Sequence, residues 1–143
     1  MQTFVPYSDF TASAKVLDRQ RLGKQRVENL QILNALLDPT YGWQNHPAVT
    51  MWRGYEYGLL EYHRAICSEW VGRGYKDTCW EKFCDRFNQQ IVQGLGTPPW
   101  LGNEAVHRSH RSNLLRKAPA HYAHVFEADL PDNLEYVWPG GGR

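Results

Sequence analysis

The chain has 143 residues, 42% of them apolar and 22% charged, with a formal net charge of +1. A domain of that length buries a core without staples, and near-neutrality leaves any affinity for nucleic acid to local concentrations of charge. The odd set of three cysteines, an N-terminus without a charged or apolar signal region, and the lack of any membrane-length apolar run point to a reduced, cytoplasmic protein without membrane contact.

Residues 1–8 read as extended, since Pro6 disfavours a helix before it. Ser8 or Asp9 offers an N-cap, and segment 13–37 reads as helix, with Val27, Leu30, Leu33 and Leu37 at helical spacing and Gly23 as the candidate break. Asp38-Pro39-Thr40-Tyr41-Gly42 reads as a turn. Asn45 or His46, followed by Pro47, caps what reads as the longest helix. Its stripe is Ala48, Trp52, Tyr55, Leu59, Tyr62, Ile66 and Trp70, ended by Gly72-Arg73-Gly74. Asp77 or Thr78 caps a further helix through Trp80, Phe83, Phe87 and Ile91. Asn103 caps one that runs to about Lys117, and Pro119 starts a short one through Tyr122 and Phe126. No segment alternates like a strand. The expected fold is all-α: one compact domain of about five helices over 1–138, with a flexible tail over 139–143.

Charge is concentrated in two places. Lys15, Arg19, Arg21, Lys24 and Arg26 precede Glu28 with only Asp18 as an acidic neighbour. No carboxylate occurs from Ala105 to Phe126, a stretch that holds His107, Arg108, His110, Arg111, Arg116 and Lys117. Guanidinium forks on a helix suit phosphate oxygens, so the two stretches are expected to converge on one DNA-binding face. Arg19, Arg21, Lys24, His107, His110, Arg111 and Asn113 are its candidates. His46 at a helix start and Arg53 a few residues on join them. The bland alternatives are a solvated, ion-paired face on the first helix and local packing on the second. A lone carboxylate among arginines is expected to be held ionised, so Glu28 is either an ion-pair partner or a catalytic acid. His63 reads as a satisfied buried histidine and Trp52 as core. No ligand set completes a metal site, and no cofactor-binding signature is present. The aromatic content of 13%, with six Trp and eight Tyr, exceeds what a small core asks for and would suit base stacking.

Leu22-Gly23-Lys24-Gln25-Arg26-Val27-Glu28, Asn45-His46-Pro47 with Trp52 and Gly54, and Arg73-Gly74-Tyr75 resemble the pyrimidine-dimer DNA glycosylase family, the endonuclease V type. The resemblance covers about residues 13–80; residues 98–122 look like a feature of a bacterial subgroup. It implies a small all-α monomer that acts on double-stranded DNA and couples base excision to a lyase step. In that family an amine at the chain start attacks the sugar carbon to form an imine, a glutamate on the first long helix assists, and the arginine before it contacts DNA. Arg26 matches that arginine. The family's glutamate follows it directly; here Val27 does, and Glu28 comes one residue later, a rotation of about 100°. Bulky Gln2 would leave Met1 in place, which makes the Met1 amine the nucleophile, with Lys24 or Lys15 as the other amines to consider. Glu28, Met1 and Arg26 are thus the expected catalytic set. Two other readings compete: a helical DNA-binding domain without the chemistry, and a metal-free hydrolase built on His107, His110 and Glu28.

Overall fold

The computed structural model describes residues 1–89 and 94–139. Among these there are seven helices and no strand, and five of the helices have seven residues or more. The helices are α1 (Phe10–Val16), α2 (Arg19–Leu37), α3 (Pro47–Thr50), α4 (Glu56–Gly72), α5 (Cys79–Asn88), α6 (Glu104–Lys117) and α7 (Pro119–Tyr122). Helix α4 packs against α1 and α2, and α5 packs against α2. Trp52, Tyr62 and Trp100 meet at the centre, with ring centroids 5.1–5.5 Å apart. The expected tail over 139–143, apart from Pro139, and Ile91 lie outside the described residues.

Three helix boundaries differ from the sequence reading: α7 ends at Tyr122, with turns rather than helix to Phe126, and long-range partners explain the other two. The first long segment breaks at Leu17-Asp18, where both residues are extended, and not at Gly23. Arg73 Nη2 donates to the Leu17 carbonyl at 2.8 Å, and the Tyr122 hydroxyl accepts from Asp18 N–H at 2.9 Å. Those groups stabilise the exposed helix end from 56 and 104 residues away. Similarly, the apolar stripe from Ala48 to Trp70 belongs to two helices. Gly54 has φ +86°, and the freed carbonyls of Met51 and Gly54 accept from Trp100 Nε1 at 2.7 Å and Leu95 N–H at 2.8 Å. The longest helix is therefore α2.

Gly23 has a different role. A Cβ there would lie 2.9 Å from the Trp70 ring. That ring cannot swing aside freely: Trp70 Nε1 donates to Lys76 O at 2.9 Å, and Arg26 and Tyr75 pack against it. Ala is the better helix former by about 1 kcal/mol, but overpacking costs about 1–3 kcal/mol. Gly23→Ala is expected to lower the melting temperature, and an unchanged or raised value in a thermal melt would contradict the contact.

The N-terminal segment passes through the interior. Thr3, Phe4, Val5 and Pro6 are buried outside any helix and without a partner strand. Their backbone groups must still be satisfied. Phe4 N–H donates to Gln25 Oε1 at 3.2 Å, and the Phe4 carbonyl accepts from the Tyr62 hydroxyl. Val5 N–H donates to His110 Nδ1 at 2.9 Å, and His107 Nδ1 donates to Val5 O at 2.7 Å. Arg111 Nη1 donates to Pro6 O at 2.8 Å. Side chains of α2, α4 and α6 do here what a neighbouring strand would do in a sheet.

Candidate active site

The same threading delivers the chain start to Glu28. Glu28 lies on α2 at 7% exposure, and its Oε2 accepts from Gln2 N–H at 3.0 Å. Gln25, one turn earlier, fixes the N-terminal segment alongside: its Nε2 donates to Gln2 O and to Asn29 Oδ1, both at 2.9 Å. Lys24 Nζ stands 3.9 Å from Glu28 Oε1. The one-residue offset thus leaves Glu28 facing the chain start, while Val27 is 46% exposed.

Burial pushes the Glu28 carboxyl pKa up, and the Met1 ammonium, the Gln2 N–H and Lys24 oppose that rise only in part. The expectation of a carboxylate held ionised by arginines is corrected, because its surroundings are different. Arg26 points to the other side of α2. It forms an ion pair with Asp77, and its Cζ lies 4.3 Å from the centroid of the Trp70 ring. The structure does not bring Arg26 into the Glu28 site; Asp77 and Trp70 are the partners that hold it away.

Beside Glu28 is a pocket of about 130 Å³ lined by Gln2, Gln25, Gln20 and three cations, Arg21, Lys24 and Lys117. Arg21 also pairs with Asp18 at 3.2 Å. Lys117 is exposed, and partial desolvation with Arg21, Arg116 and Lys24 nearby lowers its pKa. Lys117 was not among the expected site residues. The clue available in the sequence was its place at the end of the second basic stretch, but the convergence with α2 is tertiary. The opposite wall of the chain start is α3. His46 Nδ1 caps that helix by accepting from Ala48 N–H at 3.0 Å, and Thr3 Oγ1 donates to Ala48 O at 3.1 Å. Burial lowers the His46 pKa, and the Met1 ammonium adds to the effect. Arg53 is exposed and donates to Gln44 O at 2.8 Å; Arg19 is exposed near Tyr75.

The central part of the second basic stretch is corrected outright. His107, His110, Arg111 and Asn113 are buried and do not form a DNA-contacting surface. The histidines hold Val5, Arg111 is paired with Glu104 and Glu127, and Asn113 donates to Ser109 O and Leu134 O. Neither histidine lines the Glu28 pocket, which removes the hydrolase built on those three residues. The carboxylate-free run looked like an open cationic face because its acids, Glu104 and Glu127, lie just outside it in sequence.

His63 is buried as expected, bonded through Nδ1 to Asn29 Nδ2 at 3.1 Å. Burial depresses its pKa to about 4, and that of His110 to about 3. His46 and His107 are also lowered by burial. Depressed bases stay neutral in the native state but take up protons once unfolded, so their stabilisation is present above about pH 6.5 and is lost as pH falls toward the folded values. Glu28 acts oppositely, but as one group against four. Stability is expected to fall steadily from pH 7 to pH 5, by roughly 2 kcal/mol for each of His63 and His110, and the melting temperature with it. A flat profile across that window would contradict their burial.

A model of the pyrimidine dimer DNA glycosylase family matches residues 1–82. The chain belongs to that family. The match takes in the threaded N-terminus, Glu28, His46 and Arg53, and ends before α6. No curated protein and no solved structure matches the chain. Membership in a glycosylase family gives the protein a DNA-repair role of the glycosylase type, with DNA as its substrate. Among the described residues, no helix is long and apolar enough to cross a membrane.

Proposed function

We propose that the protein excises a damaged or modified pyrimidine from double-stranded DNA and cleaves the resulting site through an amine-based lyase step. The observation that carries this reading is the buried Glu28 carboxylate held 3.0 Å from the Gln2 nitrogen, in a pocket with three cations. The α-amine's lone pair forms a bond to the sugar carbon, and the base leaves with the electrons of its glycosidic bond. Glu28, whose pKa is raised, accepts the proton released from the attacking amine and stabilises positive charge developing at the sugar. Arg21, Lys24 and Lys117 would hold phosphate oxygens, and Arg19, His46 and Arg53 would extend that contact. The enzyme is proposed to act as a monomer, without metal or cofactor.

The test is borohydride trapping on duplexes that carry a thymine cyclobutane dimer or another modified pyrimidine. A covalent adduct is expected, with mass spectrometry placing the sugar on the N-terminal residue. A few residues added before Met1 should abolish it. If trapping survives the extension, the amine is a lysine, and Lys117 then stands ahead of Lys24 and Lys15, since partial desolvation beside Arg21, Arg116 and Lys24 lowers its pKa. Absence of trapping on the whole panel, with duplex affinity that still falls steeply between roughly 50 and 200 mM salt, would leave a DNA-binding domain without chemistry.

A further inference from the structure

Of the six tryptophans, Trp43 alone is exposed, at 57%. It stands in the loop between α2 and α3 with φ +69°, the only positive φ outside glycine among the described residues. A bulky side chain adopts that conformation at an energetic cost and keeps it only where its surroundings enforce it. Here they do. Gln44 Nε2 donates to the carbonyls of Ala35, Asp38 and Tyr41 at 2.7, 2.7 and 3.0 Å. Arg53 holds the Gln44 carbonyl at 2.8 Å, and His46 N–H donates to Trp43 O at 3.1 Å. The loop is tied down on both sides of a residue whose large ring remains in solvent.

The ring also packs against His46, which lies near enough to the chain start to feel the Met1 ammonium. It meets His46 edge to face, with centroids 5.6 Å apart and planes at 74°. His46 caps α3, the helix that Thr3 binds as the N-terminal segment runs to Glu28. Neither strain nor an exposed indole benefits the folded state, whereas a flat π-face beside an exposed guanidinium, that of Arg53, is what an unstacked base with its phosphate would meet. An enzyme that acts on a base within a duplex must unstack it, and an aromatic side chain that takes up a freed base face lowers that cost.

We propose that Trp43 is a positioning residue: it stacks on a base unstacked from the duplex and so holds the opened DNA over the Glu28 pocket. This inference rests on the glycosylase reading of that pocket. The test compares the full-length wild type with Trp43→Ala, Trp43→Phe and Trp43→Gly on dimer-containing duplexes that carry 2-aminopurine opposite or beside the lesion. Wild-type binding is expected to change the fluorescence of at least one probe position. Trp43→Ala should lose that response and reduce excision kcat/KM about tenfold or more, while Trp43→Phe restores a large part of both. Trp43→Gly should lose the response yet melt at a higher temperature, because glycine relieves the strained φ. Identical fluorescence and excision in wild type and Trp43→Ala would overturn the proposal. So would losses that accompany a lowered melting temperature in every variant and are not rescued by Phe, which would assign Trp43 to holding the loop. A Trp43-dependent probe response in a wild-type protein that excises nothing would instead count against the catalytic reading and leave the stacking intact.

Discussion

Glu28→Gln is expected to reduce base excision by roughly 10²–10⁴-fold while leaving the protein at least as stable as the wild type at neutral pH. Both halves follow from the same environment. The carboxylate is buried against the Gln2 N–H, and burial raises its pKa above the ordinary value. An acid whose folded-state pKa is raised stabilises the fold only below its unfolded pKa; that contribution is lost as pH rises through the folded value. At pH 7 the charge therefore works against folding. Gln is isosteric and still accepts from Gln2 N–H, but it can neither take up a proton nor offset positive charge. Excision assays and thermal melts on the same preparation separate the outcomes. Wild-type excision would end the catalytic assignment. A clearly lowered melting temperature at pH 7 would show that Glu28 serves as an ion-pair partner.

Arg111→Ala is expected to cost about 2–4 kcal/mol, a fall of roughly 10 °C in melting temperature for a domain of this size, and to leave the salt dependence of DNA binding unchanged. The Arg111 side chain is 5% exposed and joins Glu104 at 2.6 Å, Glu127 at 3.0 Å and Pro6 O at 2.8 Å. Removing it leaves a buried carbonyl without a donor and loosens the anchor of the N-terminal segment. The two glutamates are more exposed and can rehydrate, which keeps the loss below that of a fully buried pair. Lys117→Ala makes the contrast: little change in stability, and a salt slope reduced by about one unit if Lys117 meets a phosphate. A flattened slope with unchanged stability in Arg111→Ala would return that residue to the DNA interface.

The helices, their capping residues and Glu28 were legible because their signals are local. Asp9, His46 and Asn103 each sit where a short polar side chain precedes a helix, and each accepts from the N–H two residues on. The helix breaks were not legible, since Tyr122 and Arg73 decide one and Trp100 and Leu95 the other. Most misleading was α6. Its histidines, serines, arginine and asparagine compose a surface by residue type, yet they are buried: His107, His110 and Arg111 satisfy the N-terminal segment, and Ser109, Ser112 and Asn113 satisfy the segment 131–137. A polar helix late in a chain, together with an apolar N-terminus that has no strand to pair with, was the available clue; it identifies which pieces need partners but not that they meet. Arg26 carries a related lesson. Its spacing from Glu28 already put the two on different faces of α2, and the motif alone suggested that they worked together.

The threaded N-terminus also bears on when in synthesis the site comes into being. The N-terminal segment is completed by one made some hundred residues later: Val5 waits for His107 and His110, and Pro6 for Arg111, across loops of 102 and 105 residues. Closing loops that long is slow and is rewarded only at the end of folding. The region that carries the family signature holds both the chain start and Glu28, but not the helix that clamps one beside the other. A nascent or truncated chain that lacks α6 would own Met1 and Glu28 and still leave its N-terminal segment loose, so the proposed chemistry on DNA would be withheld until α6 has been made and has docked.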